Sequence, residues 1–304
     1  MTLIALVGSL ELGILYAIMA LGVFISFRTL NTADLTVDGS FVLGAACSAV
    51  LTAAGYPLLG LLVGLLAGMG AGVLTALLTT KLKILPLLSS ILVMLALYSV
   101  NLRVMGKANI SLMNTPTVFN TLHLSFGDAA KFDATKLVVG LAFLLIVMTL
   151  LFLFLKTKVG FALRATGDNQ HMVRACGIDT DRIQILGLAL ANGLVGLSGG
   201  LIAQYQKFTD VSMGTGMVVI GLASVIIGEA IFGTRPLLRR LCAVVLGSIL
   251  YRLVIAFAFQ LGMPATDLKL VSAVIVTIAL SAGLLSKPLR KHYHAKDKGG
   301  AQNA

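Results

Sequence analysis

Residues 39–80 read "GSFVLGAACSAVLTAAGYPLLGLLVGLLAGMGAGVLTALLTT", 42 consecutive residues without a charge between Asp38 and Lys81. As one helix, at about 1.5 Å per residue, the run would be about twice as long as the ~30 Å hydrocarbon thickness of a bilayer. Two spans must share it, and Gly55-Tyr56-Pro57 is the turn between them. Working outward, further runs cover 84–102, 137–155, 183–206, 211–228 and 270–286, with 241–259 broken only by Arg252. Each is close to the ~17–25 residues a spanning helix needs. The whole chain agrees: 304 residues, 58% hydrophobic and 12% charged, with a mean hydropathy of +1.00. That charged fraction is roughly half the ~25% of soluble domains.

The pattern predicts an all-α polytopic membrane protein with nine helices, at about 3–27, 39–54, 57–80, 84–102, 136–155, 183–205, 214–232, 238–259 and 269–286. The first ten residues carry no Lys or Arg and the apolar run continues to Phe27, so the opening segment reads as a first span and not a cleaved leader. Alternating sides then gather Arg28, Lys81, Lys83, Lys156, Lys158, Arg164, Arg174, Arg182, Arg235, Arg239, Arg240, Lys287, Arg290, Lys291, Lys296 and Lys298 at one end, 16 of the 23 basic residues. Arg103, Lys107, Lys131, Lys136, Lys207 and Lys269 fall at the other, partly neutralised by Asp128, Asp133, Asp210 and Asp267. The basic side is the cytoplasmic one, so the N-terminus is expected outside and the C-terminus inside. The domain division is a transmembrane region over 1–286 and a basic cytoplasmic tail over 287–304.

"DLTVDGSFVL" from Asp34 and "DVSMGTGMVV" from Asp210 agree in type at most positions, 176 residues apart. The same offset maps the first four helices onto the last four and leaves 136–155 as a lone linker, an inverted repeat of four plus four helices. Chance similarity in a biased composition is the competing explanation.

Enzyme signatures are missing. Gly106-Lys107 is followed by Ala108 and lacks the upstream glycine of a P-loop, and H-E-x-x-H, G-x-S-x-G and Cys/His clusters do not occur. His123, His292 and His294 read as solvated loop and tail residues. Cys47 and Cys242 lie in spans and Cys176 in a polar stretch, with no metal-ligand or disulfide spacing. The net charge of +11 alternates with apolar spans instead of clustering on a soluble face, which argues against nucleic acid.

The polar interruption at 160–179, "GFALRATGDNQHMVRACGID", does not fit the apolar scheme. Asp168 is placed to cap a short helix over 169–176 and Gly177 to end it. Met172, Val173 and Cys176 share a face by their spacing. Two turns of helix are marginal alone in water and need a surface. An amphipathic segment on the lipid surface, favoured by Arg164 and Arg174, and a helix docked on another protein are both open from the pattern.

Here the sequence resembles a family. "GFALRATGDNQHMVRACGIDTDRIQILGLALANGLVGLSGGL" (160–201) is similar to the main cytoplasmic loop and following helix of permease subunits in the branched-chain amino acid and ribose group of ABC importers. Gly160, Arg164, Ala165, Gly167, Asn169, Gly177, Ile178 and Asp179 match that family's G-x-A-x-R-A-x-G-x-N and G-I-[DN] pattern. "NTADLTVDGSFVLGAA" (31–46) and "GTGMVVIGLASVIIGEAIFG" (214–233) extend the resemblance over most of the chain, nearest to a subgroup served by binding proteins for aromatic or similar amino acids. Glu229 departs from it, since many relatives carry glycine there. The resemblance implies that 160–182 is a coupling loop docking on a cytoplasmic ATPase through Arg164, Asp168, Asn169, Met172, Val173, Arg174, Cys176 and Gly177. Met172, Val173 and Cys176 would be buried by that partner, while Arg164 and Arg174 meet acceptors on it. ATP and Mg would belong to the partner; no cofactor is expected in this chain.

Polar residues within spans are expensive and therefore informative. Asp34, Thr36, Asp38 and Ser40 form a polar approach to the second helix, either a broken helix lining a translocation path, as the resemblance suggests, or a solvated capping loop. Glu229, near the cytoplasmic end of its span, and Arg252, deeper on the next helix, are candidates for pairing with each other or with backbone, or for the same path. Glu11 must face protein. Gly60, Gly64, Gly68 and Gly72 form a small-residue row, continued by Ala76, for close helix packing within the subunit or against a second copy.

The expected function is the membrane-spanning subunit of an ATP-binding-cassette importer in the bacterial inner membrane. It would move a small solute, in particular an amino acid, from an external binding protein into the cytoplasm by alternating access, working as a permease dimer with ATPase subunits. The binding protein is expected on the loops at 103–136, 206–213 and 260–268. An ion-gradient-driven secondary transporter and a sugar-importing permease of the same family are the alternatives.

Overall fold

The computed structural model describes residues 3–113, 115–121, 134–233 and 236–260, together with 270, 273, 274 and 277. Its elements are α1 (Leu3–Val23), a π-helical turn (Phe24–Thr29), α2 (Thr36–Ala53), α3 (Pro57–Thr80), α4 (Pro86–Met105), β1 (Asn109–Ser111), α5 (Val118–Thr121), α6 (Ala134–Lys156), α7 (Lys158–Asp168), α8 (Gln170–Ala175), α9 (Thr180–Gln206), β2 (Phe208–Asp210), α10 (Met217–Phe232) and α11 (Leu237–Gln260). The chain is an all-α polytopic membrane protein.

The uncharged run of 39–80 divides as expected. Gly55 turns at φ +92°, and Pro57 opens α3, where a missing N–H costs nothing. Pro86 opens α4 in the same way. Among the described residues seven of the nine expected helices are long and apolar enough to span, and an eighth, α10, is shorter, at 16 residues. The predicted 214–232 helix starts late because 211–216 is a series of turns. Apart from Gln260, at the end of α11, and residues 270, 273, 274 and 277, the predicted loop 260–268 and helix 269–286 lie outside the described residues, as do the tail 287–304 and His123, His292 and His294.

α1, α2 and α9 form the buried centre, whereas α4 and α6 turn leucines such as Leu92, Leu95, Leu150 and Leu153 outward. Lipid gives helices no hydrophobic reason to associate, so contact depends on small residues that let backbones approach. Gly44 of α2, Gly64 of α3 and Gly196 of α9 meet at one point: a Cβ on Gly64 would lie 2.9 Å from the Gly44 oxygen, and one on Gly196 2.5 Å from the Gly64 oxygen. The α3 row is used inside this chain, Gly60 against Ser48, Gly64 against Gly44, Gly68 against Asn192 and Gly72 against Leu188.

Packing partners are unchanged when α1, α2 and α3 are exchanged for α9, α10 and α11. α1 touches α9; α1 packs on α10 and α11 as α9 packs on α2 and α3; and α2–α3 corresponds to α10–α11. This is the pairing that the 176-residue offset requires. α6 packs on α1, α11 and α7 as a linker. At one end of the bundle β1 and β2 pair antiparallel, Ile110 opposite Thr209, joining a loop of each half. The opposite end holds the Lys/Arg-rich connections.

Candidate functional site

At the basic end, α6 passes into a polar hook. Thr157 caps α7, its hydroxyl accepting from the Gly160 N–H at 3.2 Å. Gly160, Ala162, Leu163 and Thr166 form the buried face of α7. A side chain at Gly167 would overlap the Thr29 carbonyl, so the hook abuts the end of the π-helical turn. Asn169, not Asp168, caps α8: its Oδ1 accepts from the Met172 N–H at 3.1 Å. Asp168 is instead the last residue of α7, because the helix of 158–168, unforeseen in the sequence, runs up to it. Gly177 ends α8 with φ +78°.

The predicted common face of Met172, Val173 and Cys176 is split. Val173 is fully buried in this chain, whereas Met172 is 53% exposed and Cys176 exposed. A helix of six residues must anchor on its own bundle, and Val173 is that anchor. Arg174 also finds partners within the chain, donating from Nε to Thr180 Oγ1 at 2.6 Å and reaching Asp181 Oδ1 at 3.0 Å. Arg164 stands over the Phe161 ring at 5.7 Å. Asp179 caps α9 by accepting from the Asp181 and Arg182 N–H groups. The hook turns three large apolar side chains outward, Phe161, Met172 and Ile178, among exposed polar and charged residues that include Asp168, His171, Arg174 and Asp179. Beside it a cleft of about 700 Å³ is lined by Thr79, Lys83, Gln170, Arg174, Asp181 and Gln184.

A second polar site lies inside the bundle, on Asn192, the thirteenth of the 27 residues of α9. Asn192 Nδ2 donates to Asp34 Oδ2 at 2.7 Å and to the Leu188 carbonyl at 3.1 Å, and its Oδ1 accepts from Ser40 Oγ at 2.6 Å. Asp34 Oδ1 accepts from the Thr36 N–H, the first amide of α2, at 2.9 Å, and the Thr36 and Thr75 hydroxyls meet at 2.7 Å. Asp34, Thr36 and Ser40 are all buried, so 34–40 is not a solvated loop. Contact with the middle of α9 puts the start of α2 at mid-span. Asp38 reaches across to α10, its two oxygens accepting from the Gly216 and Val218 N–H groups at 2.9 and 2.8 Å. It caps the N-terminus of α10, so both short-entering helices begin where these carboxylates stand. Neither Asn192 nor Thr75 was singled out from sequence; the signal was an amide in an otherwise uncharged run.

The remaining charged candidates are scattered. Glu229 does not pair with Arg252. It accepts from Arg28 Nε at 2.6 Å and Arg240 Nε at 2.7 Å. Arg240 lies across from Glu229 in the α10–α11 hairpin, and Arg252 is three turns further along α11, about 18 Å away by helical rise. Arg252 stacks on Tyr16, 3.6 Å from the ring centroid, and Tyr16 stacks on Phe41 at 6.2 Å. Glu11 accepts from the Tyr205 hydroxyl at 2.6 Å.

Antiparallel apolar helices packed through glycine, polar side chains gathered at mid-span and an amphipathic hook at one end define a multi-pass permease. The chain belongs to the family described as branched-chain amino acid transport system / permease component, whose model matches residues 5–280. It is thus a component of a transport system, and the family is not one of enzymes. It is 41% identical over 279 residues to a tyrosine transport system permease protein of Clostridioides difficile (strain R20291), covering 91% of each chain. It is 32% identical over 281 residues to an uncharacterized protein of Rickettsia prowazekii (strain Madrid E), covering 91% of this chain and 97% of that one. A shorter likeness, 31% over 85 residues and 28% of this chain, is to a probable branched-chain amino acid transport permease of Methanocaldococcus jannaschii, 27% of whose length it covers. No solved structure matches the chain.

Proposed function

We propose that this permease is the membrane subunit of an ATP-driven amino-acid importer, and that the hook over 157–182 docks on a separate cytoplasmic ATPase. The observation that carries the reading is the outward face of the hook: Phe161, Met172 and Ile178 stand exposed beside Arg164 and Arg174 at the basic end of the bundle. A helix resting on lipid would also use such residues, but α8 is already anchored by Val173 and Arg174 to its own chain. That arrangement suits a rigid knob better than a floating amphipathic segment. ATP and Mg act in the partner. An external binding protein delivers the solute to the far end, and a second permease copy completes the path. The basic end faces the cytoplasm of the inner membrane, with the N-terminus outside and the C-terminus inside. The mid-span residues Asp34, Thr36, Asp38 and Ser40 line or gate the solute path. Glu229 and Arg252 lie apart from that group, and a path role for Arg252 rests on its being a cation at membrane depth.

The relative named as a tyrosine permease makes tyrosine the first solute to test. The full complex of permease, ATPase and binding protein in vesicles should take up labelled tyrosine or a related amino acid only with ATP. Uptake by the permease alone on an ion gradient would replace this reading with a secondary transporter. Cys176 should be shielded from thiol reagents when the ATPase is bound and exposed when it is stripped, and equal labelling in both states would return the hook to the lipid surface. Arg174→Glu should uncouple ATP hydrolysis from uptake without unfolding the protein.

A further inference from the structure

Glu229 is a carboxylate inside the bundle whose two partners come from different halves of the repeat. Arg28 follows α1 in the first half, and Arg240 opens α11 in the second. The Glu229 side chain is 5% exposed, Arg240 25% and Arg28 51%. Arg240 also lies over the Phe24 ring at 4.9 Å, and Phe24 and Arg28 stand on the same π-helical turn. Three side-chain contacts and the backbone of that turn therefore close a ring at the end of α10.

Three features separate this ring from a fixed clamp. Two cations share one carboxylate, so releasing Arg28 leaves Glu229 still paired with Arg240 and strands no buried charge. Arg28 is the half-exposed member and can return to solvent cheaply, whereas Arg240 is held by the Phe24 face as well. The π-helical turn that carries Arg28 is an uncommon form, frequent at functional positions. Its end, Thr29, meets Gly167 of the hook with no room for a side chain between them. A push on the hook arrives at Thr29, the neighbour of Arg28. At the other end of α10, Asp38 holds the first turn at mid-span, so freeing the Glu229 end lets the helix pivot about that cap.

We propose that Arg28, Glu229 and Arg240 form a cytoplasmic latch, closed in this structure, which the hook opens by displacing the π-helical turn and which ties movement of α10 to the ATPase. The latch rests on the transport reading above, and Arg28 and Glu229 act as positioning residues that do not touch solute.

The test uses the full-length permease with Cys47, Cys176 and Cys242 replaced and spin labels at Ala33→Cys and Ile231→Cys, two exposed positions flanking the latch. Arg28→Gln should raise the long-distance population about tenfold over the unmutated latch, and Arg28→Lys should raise it less. Identical distance distributions in the three proteins would overturn the latch. In the complete complex, Arg28→Gln should cut solute moved per ATP about tenfold while ATP hydrolysis continues. An unchanged ratio would also overturn it. Should the unmutated complex show no ATP-dependent uptake, the transport reading fails, and the label distances still decide the latch on the permease alone. Unchanged thermal unfolding of Arg28→Gln separates loss of the latch from loss of fold.

Discussion

Two glycines two residues apart on α3 should respond to alanine in opposite directions. Gly70 is exposed, with nothing within 4 Å of where a Cβ would stand, while a Cβ on Gly72 would fall on the Leu188 carbonyl of α9. At Gly70 only the helix preference acts, and alanine should stabilise by up to about 1 kcal/mol. At Gly72 the same gain is opposed by overpacking against backbone, which has no rotamer to move. Taking about 3 kcal/mol for that strain leaves a net loss of about 2 kcal/mol, so the two variants should differ by about 3 kcal/mol. Gly64→Ala should fall between them, since its Cβ would meet the Gly44 oxygen at 2.9 Å, a clash with backbone but a milder one than at Gly72. Thermal unfolding of the three variants in one detergent measures the order. At roughly 2–4 °C per kcal/mol, Gly70→Ala and Gly72→Ala should be separated by about 6–12 °C. Equal melting of the two would refute the claim that α3 and α9 are held by backbone approach.

Asn192→Leu removes the donor to Asp34 and the acceptor of Ser40 at mid-span, and should destabilise by about 2–3 kcal/mol and abolish uptake, read by unfolding and vesicle assays. Tyr205→Phe keeps the ring against Phe119 but leaves buried Glu11 without its hydroxyl, a loss of about 1–3 kcal/mol visible in the same melting assay. Val173→Ala should cost about 1.5 kcal/mol of buried methyl groups and loosen the hook, whereas Met172→Ala, at an exposed position, should leave melting unchanged and, on the proposed docking, lower only the amount of ATPase recovered with the permease.

The spans were legible because their length and lack of charge are local properties, and the 39–80 run with its Gly55-Tyr56-Pro57 turn divided where it should. The glycine row on α3 was legible as a packing surface, but its partners on α2 and α9 were not, because spacing on one helix does not say which helix it faces. Long-range polar contacts were least accessible. Asp38 caps a helix whose first turn is 178 residues away, and Glu229 reaches Arg28 across 201. The pairing of Glu229 with Arg252 failed on depth, which the span boundaries already indicated; what they did not indicate is that Arg28 and Arg240 reach Glu229 instead. At 168–169 two good capping residues stand side by side, and only the path of α7 decides that Asn169 takes the role.

The strand pair at the far end has a consequence for how the molecule can bend. Ile110 and Thr209 are joined through main-chain hydrogen bonds, whose length allows little play, and they belong to loops from opposite halves of the chain. At the other end Glu229 of the second half is tied to Arg28 of the first through long side chains that can swing or part. The ladder therefore yields less than the ion pair, and a separation of the two loops is resisted by main chain where a separation of Arg28 from Glu229 is resisted by side chains alone. The far end is thus one continuous platform built from both halves of the chain.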